Sequence, residues 1–188
     1  MPMSNSFEGI LTFTGVKVDP FNLDPDLINL TDISHALSYQ NRFNGHTRRP
    51  LSVAEHSLNV HRYVDHRETE RWECQQALMH DATEAYIPDL ASPLKHKMPE
   101  FQALEAGVWD AICLRFNLPV EMSPIVEEGD RQVFYYEFHT AMNESHVQLN
   151  MPRPRPPFTG CRDRTSSTYT PDHWAHEFRE QCRKLDIE

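Results

Sequence analysis

Apolar and polar positions along this chain change period several times, and each change marks an element. Residues 7–19 alternate partially, with Ile10, Phe13, Val16 and Val18 set among polar neighbours. A period near two, interrupted at Gly15, predicts a short strand or hairpin. Pro20, Asn22 and Pro25 then break it. From Thr31 the spacing becomes helical, carried by Ile33, Ala36 and Leu37, and it stops before the polar loop 41–50. Ser52 followed by Glu55 reads as a capping box opening a helix with Val53, Leu58, Val60 and Val64 on its apolar face. A third helix is predicted over 68–85, stopping before Pro88. A fourth spans about 99–116, with Phe101, Leu104, Val108, Ala111 and Ile112 as its inward stripe, and a fifth runs over about 124–143. Thr170 and Pro171 form an N-cap and first-turn pair that opens the last helix.

The stretch at about 149–170 holds Pro152, Pro154, Pro156 and Pro157 alternating in part with Arg153 and Arg155. Such a segment is extended. A surface loop tying the last helix back to the core accounts for it better than a ligand for an SH3-type domain. There are no internal repeats. The class is mostly α, one domain over 1–188, with a small N-terminal β element inside an extension of about 30 residues.

Composition narrows the function classes. Lys and Arg number 18 against 28 Asp and Glu, a formal charge of −10. That balance argues against stable nucleic-acid binding, which leaves a basic footprint. A small anionic substrate stays compatible, because a metal and a few local cations outweigh a distant negative surface. Cys74, Cys113, Cys161 and Cys182 are far apart and form no CxxC pair, so neither a disulfide framework nor a zinc ribbon is expected. Residues 1–9 lack a basic, then apolar, leader pattern, and no run approaches a membrane span. The expectation is a soluble cytoplasmic protein without membrane partners.

The chemistry concentrates at His80 and Asp81. Adjacent residues on a helix diverge by about 100°, close enough for an imidazole and a carboxylate to reach one cation. Glu84 follows four residues after His80 and three after Asp81, so it shares their face without being needed as a ligand. A divalent ion beside a free carboxylate is the equipment for activating water. Alone, the doublet also fits a solvated helix face. His56, near the start of a capped helix and flanked by apolar residues, is the best upstream third ligand. Asp130, early in the fifth helix and opposite Val133, Phe134 and Phe138, is the best downstream one. Asp110 competes with it, but the polar face of its own helix explains Asp110.

The order His56, His80-Asp81, Asp130 resembles the H…HD…D signature of the HD-domain metal-dependent phosphohydrolases. The likeness covers about residues 31–138 and is strongest in three segments. These are Asn41-Arg42-Phe43-Asn44-Gly45-His46-Thr47, Ser52-Val53-Ala54-Glu55-His56-Ser57, and the run from His80 through Pro88-Asp89 to Pro93-Leu94-Lys95. It is nearest to the small nucleotide phosphohydrolases, the bacterial 5′-deoxynucleotidases and the phage dATP triphosphohydrolases. The N-terminal segment from Thr12 to Ser38 looks like the extension on the phage-encoded members. Arg48-Arg49-Pro50-Leu51 departs from those relatives, which carry an aromatic pair there.

By position, the resemblance implies an HD-type helical bundle with His56, His80, Asp81 and Asp130 as metal ligands. Glu84 and Asp89 become the acid/base carboxylates, Arg42 and Lys95 the phosphate contacts. Phe43, Gly45 and Pro93 would line the base and sugar pocket. Two imidazoles and two carboxylates suit Co, Mn, Zn, Fe or Ni better than Ca or Mg. A second ion carried with the substrate phosphates and a homo-oligomeric state are further expectations. Plainer roles stay open for several of these residues: Asp89 as a turn cap, Arg42 and Lys95 as surface charges, Phe43 as core. His35 is expected to pack within the N-terminal helix, and His46 to cap its loop.

Three functions compete on this reading. The first is hydrolysis of dATP to deoxyadenosine and tripolyphosphate, in host cytoplasm if the protein is phage-encoded. The alternative enzyme is a 5′-nucleotidase acting on deoxynucleoside monophosphates. The third is a non-catalytic module with a structural metal, which would have no use for both Glu84 and Asp89.

Overall fold

In the computed structural model, which describes residues 9–67, 69–143, 151–154 and 170–188, the chain is mostly helical with one small antiparallel sheet. The sheet pairs β1 (Ile10–Leu11) with β2 (Lys17–Val18) around the turn at Gly15. Two single 3₁₀ turns follow, Pro20–Asn22 and Pro25–Leu27, capped by Asp19 and Asp24. The helices are α1 (Leu30–Tyr39), α2 (Val53–Asp65), α3 (Arg71–Met79), α4 (Ser92–Lys95), α5 (Pro99–Phe116), α6 (Pro124–Ala141) and α7 (Pro171–Lys184). Most of the proline-rich stretch, 155–169, and Cys161 lie outside the described residues. Among the described residues, no helix is long and apolar enough to cross a membrane, and Cys74, Cys113 and Cys182 are buried free thiols.

Helix α2 is the axis of the core. It packs against α3, α6, α1 and α7, and residues 51–61 are buried without interruption. The sequence reads it as amphipathic, yet Glu55, His56, Ser57, Asn59 and His61 are buried along with Val53, Leu58 and Val60. Buried polar side chains at such a position need partners, since each costs a few kcal/mol when left unpaired. Ser52 caps α2 as predicted, accepting from the Glu55 amide at 3.1 Å. The expected reciprocal half of the capping box is replaced: Glu55 takes a bidentate pair with Arg49, at 2.8 and 2.9 Å. Arg49 thus neutralises a carboxylate buried at the helix start.

The third predicted helix, 68–85, is two elements. Helix α3 ends at Met79, Asp81 leaves helical geometry with φ −100° and ψ 14°, and a 3₁₀ turn occupies Ala82–Ala85. A capping box that the sequence reading overlooked, Glu70 with Glu73, opens α3. Helix α5 has the predicted span and ends on Asn117 in a left-handed conformation, a C-terminal stop. The N-terminal hairpin is fastened to α1 by Asp32, which accepts from the Thr14 amide at 2.7 Å and its hydroxyl at 2.8 Å. His35 of α1 stacks on Phe13 of the hairpin and on Tyr39, matching its expected packing role.

Helix α6 approaches α2 closely because residue 129 has no side chain. A Cβ on Gly129 would lie 3.1 Å from the Tyr63 ring, 3.3 Å from Val64 and 3.4 Å from Val60. Gly129→Ala should therefore lower the melting temperature despite alanine's helix propensity. Overpacking costs about 1–3 kcal/mol, and propensity returns about 1. The net change corresponds to a fall of up to about 8 °C in a domain of this size, readable by calorimetry. An unchanged or higher melting temperature would mean that α6 shifts freely.

Candidate metal centre

Four side chains from three elements converge where α2, the end of α3 and α6 meet. From α2 comes His56, whose side chain is fully buried. Its Nε2 lies 3.0 Å from Asp130 Oδ1 and 3.6 Å from Asp81 Oδ2. His80 Nε2 lies 3.3 Å from Asp81 Oδ2 and 3.9 Å from Asp130 Oδ1. His56, His80 and Asp130 each offer one atom within 4.8 Å of the others, a spacing that could hold one metal ion. Asp110, the competing carboxylate, is exposed on α5.

Both imidazoles are fixed in the ligating orientation from behind. A carbonyl only accepts, so the 2.9 Å contact of His80 Nδ1 with the Ala77 carbonyl places the ring proton on Nδ1. His56 Nδ1 likewise donates to the carboxylate of Glu137, at 3.0 and 3.1 Å. The two Nε2 atoms, buried and without a hydrogen-bond partner, are the ring positions left to face an ion once they carry no proton. Buried unpartnered nitrogens of this kind carry a penalty that a cation removes, so the donor set fits a divalent ion.

The break after Met79 has a chemical consequence. Because Glu84 N donates to the Asp81 carbonyl at 3.0 Å, the segment winds with three residues per turn. Asp81 and Glu84 therefore share a face more closely than in an α-helix. Glu84 is only 8% exposed, and its Oε2 is buried without a partner. Burial, followed by the charges of Asp81 and Asp89, pushes its carboxyl up to about 9. Asp81 moves the opposite way. Burial opposes ionisation there, but the neighbouring His80, His56 and Arg42 outweigh it and hold the group well below the usual carboxylate range. Two carboxyl groups three residues apart are thus divided into a standing anion and a proton carrier.

In front of the centre opens a cleft of about 1140 Å³. It is lined by Arg42, Phe43, Asp81, Glu84, Asp89, Pro93, Lys95 and Asp130, which gathers most of the sequence-derived site in one place. Gly45 is not among the lining residues. It continues a left-handed run, with φ of 53° at Phe43, 50° at Asn44 and 75° at Gly45, so its contribution is to the loop's path. Phe43 stacks on Phe134 of α6, with centroids 5.6 Å apart, and both line the cleft as a partly exposed aromatic wall. His46 closes this turn by donating its amide to the Phe43 carbonyl at 2.9 Å.

The two cations expected to hold phosphate are both engaged. Arg42 Nε donates to Glu137 at 3.0 Å and Nη1 to Asp81 at 3.4 Å, while Lys95 Nζ meets Glu105 at 2.6 Å. The cleft lining carries five carboxylates, Asp81, Glu84, Asp89, Glu105 and Asp130, against three cations, Arg42, Lys95 and Arg131. Asp89 is raised by burial and by Asp81. An anionic ligand entering this cleft needs additional positive charge, which a divalent ion at the histidines supplies.

The sequence reading passed over Glu137. It is 2% exposed and contacts both a candidate ligand and the cleft arginine. Its signal was a carboxylate seven residues after Asp130, on the same face of one helix.

No family model matches the chain. It is 35% identical over 121 residues to the uncharacterized protein YfdR of Escherichia coli (strain K12), covering 64% of this chain and 65% of that protein. It is also 35% identical over 112 residues to an uncharacterized protein of Rhodobacter capsulatus, covering 56% and 57% of the two chains. The chain thus spans less than two thirds of the length of both curated relatives.

Proposed function

We propose that this protein is a metal-dependent phosphohydrolase of the HD type acting on deoxynucleotides, with dATP cleaved to deoxyadenosine and tripolyphosphate. The observation that carries the reading is the pair of buried, unpartnered Nε2 atoms of His56 and His80 facing Asp81 and Asp130, with the buried, unpartnered Oε2 of Glu84 lining the same cleft. The ordered H…HD…D motif and the carboxylates Glu84 and Asp89 supply the family resemblance. With an N₂O₂ donor set the ion is Co, Mn, Zn, Fe or Ni, and a second ion can arrive with the phosphates.

A bound divalent ion contributes Lewis acidity and makes water a better nucleophile at neutral pH. The chain's own residues do the rest. Glu84 holds a proton in the metal-free site and is placed to exchange it at Oε2 with water or the departing 5′ oxygen. Asp89, at the cleft mouth, offers a second carboxylate. Arg42 and Lys95 take up phosphate charge by exchanging their carboxylate partners for it. Phe43 and Phe134 give a flat apolar surface for a base, and Pro93 also lines the pocket.

The engagement of Arg42 and Lys95 favours one alternative, since fewer released cations are needed for a single phosphate. On that reading the enzyme is a 5′-nucleotidase acting on deoxynucleoside monophosphates. Product identification with Co²⁺ or Mn²⁺ separates the two. Tripolyphosphate and deoxyadenosine from dATP are expected. Orthophosphate from monophosphates, with every triphosphate left intact, would install the nucleotidase instead. No release from any deoxynucleotide by metal-loaded protein would remove the enzymatic reading.

A further inference from the structure

Resting on that metal-dependent reading, we propose that Glu137 is a positioning residue serving two groups at once. It aims His56 Nε2 at the ion position and anchors Arg42 on the loop over the cleft. One buried carboxylate thereby couples occupancy of the metal centre to placement of the substrate-facing arginine.

Both carboxylate oxygens are in use. Oε1 lies 3.0 Å from His56 Nδ1, while Oε2 lies 3.1 Å from the same nitrogen and 3.0 Å from Arg42 Nε. A carboxylate can only accept, so this contact places a proton on His56 Nδ1 and leaves Nε2 as the ring position that can turn to an ion. The remaining contact of the Arg42 fork goes to Asp81, so this guanidinium spans the space between the centre and α6.

The loop needs such an anchor. Phe43 and Asn44 are non-glycine residues in left-handed conformation, followed by Gly45 in the same region. That conformation is unfavourable for residues with a Cβ and persists where surroundings enforce it. Helix α6 enforces it through Phe134, stacked on Phe43, and through Glu137, one turn further along, on Arg42. The same helix carries Asp130 to the centre. Asp130 and His56, which would hold the ion, thus share the support that holds Arg42.

A purely structural Glu137 would neutralise Arg42 and do nothing more, so the test reads metal affinity and ring protonation. Cobalt(II) titrations of the full chain, followed by visible absorption, compare wild type with Glu137→Gln and Glu137→Asp. Glu137→Gln, if folded by circular dichroism, should bind Co²⁺ about 10–100-fold more weakly. Glu137→Asp should recover part of the loss. In Zn²⁺-loaded wild type, ¹H–¹⁵N spectra should show His56 protonated at Nδ1 and the Arg42 Nε–H as one slowly exchanging signal that sharpens on metal addition. Folded Glu137→Gln with wild-type Co²⁺ affinity would overturn the proposal. So would a His56 protonated at Nε2, or an Arg42 Nε–H indifferent to Zn²⁺, and these two readings hold even if the glutamine variant fails to fold. Wild type that binds no Co²⁺ defeats the metal reading itself. Wild type that binds the ion but cleaves no deoxynucleotide leaves the role of Glu137 intact and defeats only the substrate assignment.

Discussion

Substituting His80 with alanine should abolish the proposed divalent-ion binding and the proposed hydrolysis together. The side chain is 6% exposed, its Nδ1 is committed to the Ala77 carbonyl, and its Nε2 is one of two unpartnered nitrogens at the centre. Removing a partner behind a ligand weakens metal binding by about 10–100-fold, so removing the ligand itself should exceed the upper end of that range. The fold should survive, because His80 follows the last residue of α3 and the apolar packing of Ala77, Leu78 and Met79 is untouched. Metal content per chain, with a Co²⁺ titration, checks the expectation. Full occupancy with unchanged turnover would remove His80 from the centre.

The pH dependence of metal uptake follows from the same geometry. Burial and the nearby Arg42 lower the proton affinity of His56, but Glu137 and the contacts with Asp130 and Glu137 raise it further, to about 9. A proton on the ring must leave before an ion binds. Apparent Co²⁺ affinity should therefore fall as pH drops below about 9, by about tenfold per pH unit for each proton displaced, and level off above it.

Elements governed by local chemistry were legible from residues alone. The Pro99 start and the apolar stripe of α5, the Ser52 cap of α2 and the Thr170–Pro171 opening of α7 all depend on neighbours within one turn. What escaped depended on partners far away in sequence. The break after Met79 serves the centre: the ring of His80 binds back to Ala77, and the chain tightens to bring Glu84 under Asp81. A periodic apolar run carries no sign of that. Glu55 was assigned to a capping box because Ser52 stands three residues before it, yet a guanidinium six residues away offers a buried carboxylate two bonds. That pair outcompetes one amide.

The site shows the same division. Residue types and order single out His56, His80 and Asp130, which lie at a spacing that could hold an ion, and Asp81, whose Oδ2 is 3.3 Å from His80 Nε2. Gly45 was placed in the pocket by analogy of position, but its φ of 75° and its absence from the cleft lining give it a backbone task. Glu137 escaped because a carboxylate amid Phe134, Tyr135, Tyr136 and Phe138 resembles the polar side of an amphipathic helix. Only the packing of α6 on α2 reveals that this side faces His56.

Glu84→Gln should retain the fold and one ion per chain while lowering kcat by a factor of about 10²–10⁴, the range for a positioned acid or base. The substitution keeps the size of the side chain. The backbone carbonyl of residue 84, which accepts from Gln40 at 2.5 Å, is unaffected. Since burial and the adjacent Asp81 and Asp89 already favour the uncharged form, with a carboxyl raised to about 9, a neutral amide is an electrostatic mimic of the metal-free state. The unfolded chain ionises this carboxyl near 4.5, so the wild type loses stability as pH climbs from there toward about 9, and the amide variant should be the more stable of the two across that window. What the amide cannot do is release or accept a proton, so the loss should appear in kcat with KM nearly unchanged. The acid/base limb that Glu84 contributes to the wild-type pH–rate profile should vanish as well. Near-normal kcat in a variant of confirmed metal content would take Glu84 out of the reaction and pass its proposed role to Asp89.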